Sequence, residues 1–343
     1  MPDCSDSLCA GPGATQIEHK AWPAIRWLCM PWQRPTVGGH PEFRATRLMA
    51  LKTTQNGQLH GARSSQRPVP FAMRIMRLLF SRVGGVLPGL MGRWACRLWF
   101  RTRRFPESAA GKRATGRAGR ATLVVNGIPV ALYSWGTGPV VVFVHGWSGR
   151  GSQAAAFVEP LTQAGYRVIA VDAPGHGETP GDRTSIFECA AVLQAIAGQY
   201  GPLHAVITHS FGGMVLAYVM RHGLAVARVV CISAPADIDF LLDNFARTLS
   251  MHPAVAADLR RRLAQRYGEN LHEQVSTSVN VRNLSTPALI IHDADDASVP
   301  VQQGELIAAA WPGARFLKTR GLGHGRILRA TETVQAAVEF IAQ

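Results

Sequence analysis

The sequence predicts an α/β fold: a mostly parallel central sheet covered by helices on both faces. Two observations predict it. Short, unbroken apolar runs recur through residues 121–343, and helical patterns lie between most of them. Strands buried on both faces read as continuous apolar runs, and strand alternating with helix is the pattern of a parallel sheet.

Leu123–Val125 and Val130–Tyr133 flank Asn126-Gly127, a two-residue hairpin signal. Apolar runs bounded by turn residues follow at Val140–Val144, Val168–Val171, Ala205–Ile207, Val229–Ile232 and Ala288–Ile291, with a weaker one at Arg315–Lys318. Helical periodicity occupies 152–164, 185–199, 211–222, 302–311 and 331–342. Between Ala236 and Ser285 there is no strand pattern, only helical stretches such as Asp237–Leu249 and Ala254–Tyr267. These predict a small helical cap at about 236–285, inserted after one strand.

The N-terminal third differs in kind. Residues 1–120 hold 20 Lys/Arg against 5 Asp/Glu, whereas 121–343 hold 16 against 17. The formal charge of +14 is therefore a property of the N-terminal region and says nothing about what the larger domain acts on. Residues 1–70, rich in Pro, Gly, Gln, Ser and Arg, read as disordered, or as an extension upstream of a true start at Met49 or Met73.

In 71–105, Ile75, Leu79, Val83, Val86, Leu90, Trp94 and Leu98 recur at helical spacing beside Arg93, Arg97 and Arg101. This predicts a basic amphipathic helical segment, interrupted near Gly84-Gly85 and Pro88-Gly89. The favoured expectation packs its apolar stripe on the larger domain; the alternative is peripheral contact with an anionic membrane surface. Residues 106–120 read as a flexible linker. The region carries no recognised nucleic-acid module, and no nucleic-acid partner is expected.

Cys4, Cys9, Cys29, Cys96, Cys189 and Cys231 form no close pair and no Cys/His cluster at zinc spacing. Cys231 lies inside an apolar run and reads as a buried thiol. Met1–Asp6 lacks the basic and apolar regions of a signal peptide, and no window of 18 apolar residues predicts a spanning helix. The expected location is the cytoplasm, with the inner membrane surface as the site of any peripheral contact.

The chemistry concentrates in five short motifs. Ala205-Val206-Ile207-Thr208-His209-Ser210-Phe211-Gly212-Gly213 reads as strand, tight turn and helix, with Ser210 on the turn. A helix N-terminus there offers free N–H groups to a developing oxyanion. His145-Gly146-Trp147 follows the run Val140–Val144, and Asp172-Ala173-Pro174-Gly175-His176-Gly177 follows the next. His292-Asp293-Ala294-Asp295-Asp296 precedes Val299-Pro300, and Gly321-Leu322-Gly323-His324-Gly325 follows the last run.

Together these motifs resemble the α/β-hydrolase superfamily over residues 121–343, in its chain order of nucleophile, acid and histidine. Placement within it leans towards bacterial esterase-like and serine aminopeptidase-like branches. The resemblance implies a nucleophile elbow at Ser210, with Thr208 standing where the pattern has its first Gly. It implies a general base and acid at His324 and a triad acid at Asp296, with Asp295 and Asp237 as other candidates. It also implies oxyanion donors at the backbone N–H groups of Trp147 and Phe211. The His145 ring and the Asp172–Gly177 turn read as structural. The implied activity is carboxylic ester hydrolysis of a small-molecule ester or acyl substrate through an acyl-enzyme, with no metal or organic cofactor. Thioesters, amides, acyl transfer and C–C cleavage remain alternatives on the same triad, as does a non-catalytic binding protein. Dehalogenation is disfavoured because those relatives carry Asp at the position of Ser210; iminopeptidase activity is disfavoured because they carry Trp at that of Phe211.

Overall fold

A computed structural model describes residues 70–343. The expectation for 1–70, together with Cys4, Cys9 and Cys29, falls outside them apart from residue 70.

Eight strands form one sheet: β1 (Gly119–Val125), β2 (Ile128–Trp135), β3 (Val140–Val144), β4 (Arg167–Val171), β5 (Leu203–His209), β6 (Val226–Ile232), β7 (Ala288–Asp293) and β8 (Arg315–Thr319). Their spatial order is β1-β2-β4-β3-β5-β6-β7-β8. β2 pairs antiparallel with both β1 and β4, and every other neighbour is parallel. Asn126 and Gly127 close the first hairpin in left-handed conformations, with Val125 opposite Ile128. After β3 the chain passes to one side to form β4 and to the other to form β5. Ligand sites in such sheets gather outside the carboxyl ends of strands at this reversal.

Alternation along each strand divides the core into two layers. Val206 and Ile290 face one layer with Met214, Leu216 and Ile196; Ile207 and Ile291 face the other with Phe157, Leu161 and Phe340. All five residues of β3 and all six of β7 are buried. Helices Ile186–Tyr200 and Phe211–Arg221 cover the first layer, and Ala155–Gln163 and Thr331–Ala342 cover the second.

The structure corrects two expectations in the N-terminal third. Residues 106–120 are not an unstructured linker: Ser108 caps helix Ala109–Thr115, and β1 begins at Gly119. Trp135 Nε1 also donates to Ala114 O at 2.9 Å, which ties this helix to β2. Small and basic residues look flexible in composition, but they also suit a short capped helix lying close to a sheet. The second correction concerns the apolar stripe of 71–105. Leu79, Val83, Trp94 and Leu98 pack against an apolar core, but Val86 and Leu90 stand 78% and 60% exposed, while Phe80, Met91 and Ala95, outside the expected stripe, are buried. A five-residue π-helical stretch, Leu79–Val83, widens the turn after helix Phe71–Leu78 and rotates the faces out of a simple 3.6-residue register.

Phe80, Met91 and Ala95 pack against Leu242, Leu249, Val255, Leu259 and Leu263, which lie between β6 and β7. Helix Pro88–Trp99 runs against helix Pro253–Tyr267, and helix Ile238–Thr248 closes the cluster. The segment before the sheet and the segment inserted within it thus share one apolar core. Backbone bonds from Thr102 N to Asp182 O (2.9 Å) and from Thr184 N to Phe100 O (3.0 Å) tie this layer to the loop before helix Ile186–Tyr200. No described helix is long and apolar enough to cross a membrane.

Candidate active site

β5 ends at His209, and helix Phe211–Arg221 begins one residue after Ser210. Ser210 adopts φ 52 and ψ −123, a conformation that β-carbon-bearing residues rarely hold and that marks strained functional turns. Its N–H donates to Ile232 O at 2.9 Å, which anchors the turn to the end of β6. Such a turn brings strand and helix close together. A Cβ at Gly212 would lie 2.5 Å from Val144 O, and one at Gly213 would lie 2.6 Å from the Ala234 Cβ and 3.6 Å from Thr208 Oγ1. Thr208, in the position where the family pattern has Gly, is fully buried beside the bare face of Gly213. Gly213 is needed for the close approach of Ala234 and Cys231, while its contact with Thr208 is of ordinary length.

His324 Nδ1 lies 2.7 Å from Asp296 Oδ2. Asp296 is fixed by its other oxygen, which accepts from Ser298 N at 2.8 Å and Val299 N at 2.9 Å. Burial alone would raise the Asp296 pKa, but the His324 ring and these two amides outweigh it and hold the carboxylate below its ordinary value. The pairing places a proton on Nδ1 and leaves the Nε2 lone pair free. Among the described residues no hydrogen bond joins Ser210 Oγ to the His324 ring; catalytic contacts of this kind often tighten only with substrate bound.

The other carboxylates separate clearly. Asp295 accepts from Gly321 N, and Asp237 caps helix Ile238–Thr248 by accepting from Phe240 N at 2.6 Å. Neither reaches His324. Asp293 is fully buried and accepts from Thr319 Oγ1 and from the amides of Leu322, Gly323 and Asp295. Burial raises its pKa and these donors more than offset the rise. Asp293 thus moulds the 321–324 loop that carries His324, a role a Gly at this position could not fill.

His209, which follows Thr208 in the elbow, also escapes a motif-based reading. Its Nε2 lies 2.9 Å from the His324 backbone oxygen, and the two rings sit 4.8 Å apart. Burial, followed by the neighbouring His324, lowers its pKa to about 3, so the ring is neutral and donates through Nε2. The only sequence sign was a His directly before the elbow serine.

The turn after β3 is held by two more neutral histidines. His145 Nδ1 lies 2.7 Å from Gly146 O, while Nε2 accepts from Ala173 N at 3.1 Å. His176 Nδ1 faces Pro174 O, while Nε2 accepts from Ser148 N at 2.9 Å. Burial lowers both pKa values, that of His176 to about 4 with a further push from His145. Gly149 N bonds to Gly146 O across this turn, and Ser148 takes φ 58. The Trp147 N–H, at the first central position, is not used by the turn bond. The Phe211 N–H opens a helix and has no intrahelical acceptor. Ser148 Oγ also accepts from Arg103 N at 3.0 Å, a tie to the N-terminal segment with no sequence signal.

Ser210, Phe211 and Trp147 line a cavity of about 950 Å³. Its remaining walls are mainly apolar: Met76, Trp99 and Phe105 from the N-terminal segment, Leu241, Phe245 and Leu263 from the inserted one, and Ile186, Phe187 and Met214 from helices over the sheet.

Residues 141–336 match the model of the alpha/beta hydrolase family. The chain belongs to that family. A non-heme haloperoxidase from Rhodococcus erythropolis is 26% identical over 62% of this chain and 94% of its own length. A pimeloyl-[acyl-carrier protein] methyl ester esterase from Aromatoleum aromaticum is 26% identical over 60% of this chain and 98% of its own length. Among solved structures, an esterase from Exiguobacterium antarcticum superposes with a TM-score of 0.52 at 16% identity, over 66% of this chain and all of that one. A bromoperoxidase from Bacillus anthracis gives 0.51 at 21% identity with the same coverage. At such identities the structural likeness establishes the fold.

Proposed function

We propose that this chain is a serine hydrolase that cleaves carboxylic esters, with Ser210 as nucleophile, His324 as general base and acid, and Asp296 as the triad acid. The observation that carries the reading is the 2.7 Å Asp296–His324 pair, packed on His209, the residue before a strained serine that lines an apolar cavity. His324 Nε2 takes the Ser210 proton as Oγ bonds to the ester carbonyl carbon. The carbonyl oxygen becomes an oxyanion held by the N–H groups of Trp147 and Phe211. The C–O bond to the alcohol then breaks and His324 protonates the departing oxygen, leaving an acyl-enzyme. Water, activated by the same ring, attacks the acyl carbon, and Ser210 leaves with the proton restored. Asp296 holds the ring in the required tautomer and stabilises the imidazolium.

Similarity to a methyl ester esterase supports an ester over an amide or thioester. Similarity to a non-heme haloperoxidase gives a second reading, and haloperoxidase activity is assayed beside ester hydrolysis. The test is labelling by a fluorophosphonate probe, followed by kinetics on matched ester, thioester and amide. Labelling of wild type but not of Ser210→Ala, with the ester turned over fastest, is the expected result. Equal labelling of the two proteins would sink the reading.

A peripheral membrane role for 71–105 draws on Phe71, Leu78, Val86 and Leu90, which are large, apolar and exposed on the segment that carries Arg74, Arg77 and Arg82. Sedimentation with anionic vesicles, abolished by Val86→Ser with Leu90→Ser, is the outcome this role requires.

A further inference from the structure

Beside the apolar cavity lies a second concavity of about 580 Å³. Five arginines line it: Arg93 and Arg97 from helix Pro88–Trp99, Arg262 and Arg266 from helix Pro253–Tyr267, and Arg183 from the loop before helix Ile186–Tyr200. A spacing of four places each helical pair on one face, so the two faces meet across the groove. The lining contains one carboxylate, Glu188. Arg262 is partly neutralised by Asp258, and Arg183 lies 3.6 Å from Asp182. Arg93, Arg97 and Arg266 form no salt bridge among the described residues. The Arg266 guanidinium stacks 5.2 Å from the centre of the Phe100 ring, which holds it at the groove wall.

Solvated arginines on a convex face repel one another weakly and need no explanation. Here they converge in a concavity, where like charges raise the local potential and concentrate anions. The groove also borders the cavity of the candidate active site. Phe100, Thr184, Ser185 and Tyr267 line both. These shared residues set the groove next to the wall against which the apolar body of a ligand held at Ser210 would lie.

We propose that this groove is a subsite for a multiply charged anionic group of phosphate type on the part of the ester substrate remote from the scissile bond. The proposal rests on the serine esterase reading and adds a substrate class to it: an apolar chain with a phosphorylated end. Guanidinium forks match phosphate oxygens in pairs, and several forks around one small concavity suit a dianion better than a single carboxylate.

The full chain with Ser210→Ala, titrated with inorganic pyrophosphate by calorimetry, reads the groove without turnover. Saturable binding is expected, falling with added salt and weakened about tenfold or more by Arg93→Gln with Arg97→Gln. Turnover by the enzyme with Ser210 intact is then compared for two esters of one chain length, ending in phosphate or in methyl. The phosphorylated ester should show a kcat/KM about tenfold or more higher, an advantage lost in the double arginine variant while the methyl-ended ester is unchanged. No pyrophosphate binding, or equal kcat/KM for the two esters, overturns the proposal. Pyrophosphate binding in a protein that neither hydrolyses an ester nor takes the fluorophosphonate label would instead fault the esterase reading and leave an anion site standing. An advantage shown by a soluble short-chain phosphoester identifies a soluble source. One seen only with the ester in phosphatidic acid vesicles identifies a lipid headgroup.

Discussion

The strand ends and the cap are held by different forces. At the strand ends the buried carboxylates are saturated with donors: Asp172 accepts from Gly151 N, Glu178 N and Tyr133 Oη, and Asp293 accepts from four groups. Three neutral histidines brace the turns around them. In the cap, by contrast, apolar side chains from two distant stretches of sequence share a core, and the charges stand at its rim apart from the buried Asp258, which is paired with Arg261 and Arg262. Directional bonds fix angles and distances, whereas apolar packing fixes shape within looser limits. One region is therefore suited to place reacting groups, and the other to choose what reaches them.

The sharpest way to break this contrast is at the reacting groups. On the proposed mechanism each acts in the transition state, so Ser210→Ala or His324→Ala should lower kcat on an ester by about a thousandfold or more with little change in KM. Substitutions of cap residues such as Trp99→Ala should instead shift KM and chain-length preference. A cap variant that abolished kcat while preserving the fold would erase the distinction.

Next in size is Asp293→Ala. It leaves three backbone amides and the buried Thr319 hydroxyl without their acceptor at the base of a half-buried loop, at roughly 1–3 kcal/mol for each group that finds no water. A fall in unfolding free energy of about 3 kcal/mol or more by urea denaturation is expected, with kcat reduced as the His324 loop loosens. Asp293→Asn, which retains an acceptor oxygen, should cost less.

The histidine braces give a pH test. His176 is lowered from 6.5 to about 4, so below pH 6.5 the unfolded chain binds a proton that the folded one refuses. The stability this lends is complete above pH 6.5 and is lost as pH falls towards 4, by roughly 3 kcal/mol at most. Protonation also removes the Nε2 acceptor of the Ser148 amide, so the Trp147 turn should loosen in the same range. The slope of unfolding free energy between pH 6.5 and 4 should be shallower in His176→Gln; an unchanged slope would show that the brace is not a titrating element.

A smaller loss is expected in the cap at Gly92, where an added Cβ would collide with the Asp258 carboxylate. Asp258 pairs with Arg261 and Arg262, so Gly92→Ala must push helix Pro88–Trp99 away from helix Pro253–Tyr267 or break those pairs. Thermal unfolding should report about 1–3 kcal/mol of destabilisation, the usual cost of overpacking. The accompanying change should be a shift in KM through the cap, with kcat on a short ester preserved.

The same contrast explains what the sequence disclosed. The sheet and the candidate site were legible because each motif is local: an apolar run, a turn residue and a helix start lie within ten positions. Spacing to Val299-Pro300 favoured Asp296 but left Asp295 and Asp237 as candidates; only the bond to His324 sets Asp296 apart. The cap was legible only as helices. That 71–105 and 236–285 form one core depends on contacts across more than a hundred residues, which periodicity within either stretch cannot encode. The π-helical turn hid which face of 71–105 was buried, and the composition of 106–120 masked a capped helix. Asp293 and His209 act through backbone partners, so nothing in their spacing distinguished them from filler beside a motif.

The finest test concerns Thr208, where the chain departs from its family's pattern. Thr208 is fully buried, so restoring glycine there should create a void rather than relieve strain. Thr208→Gly removes a buried side chain and adds backbone freedom to a strand, so unfolding free energy should fall by about 1–2 kcal/mol. Ser210 is held separately, by its bond to Ile232 and by the glycines that follow, so kcat should change less than about threefold. A large gain in kcat with unchanged stability would reverse the account: Thr208 would then be straining the elbow, and the looseness attributed to the cap would reach into the strand ends.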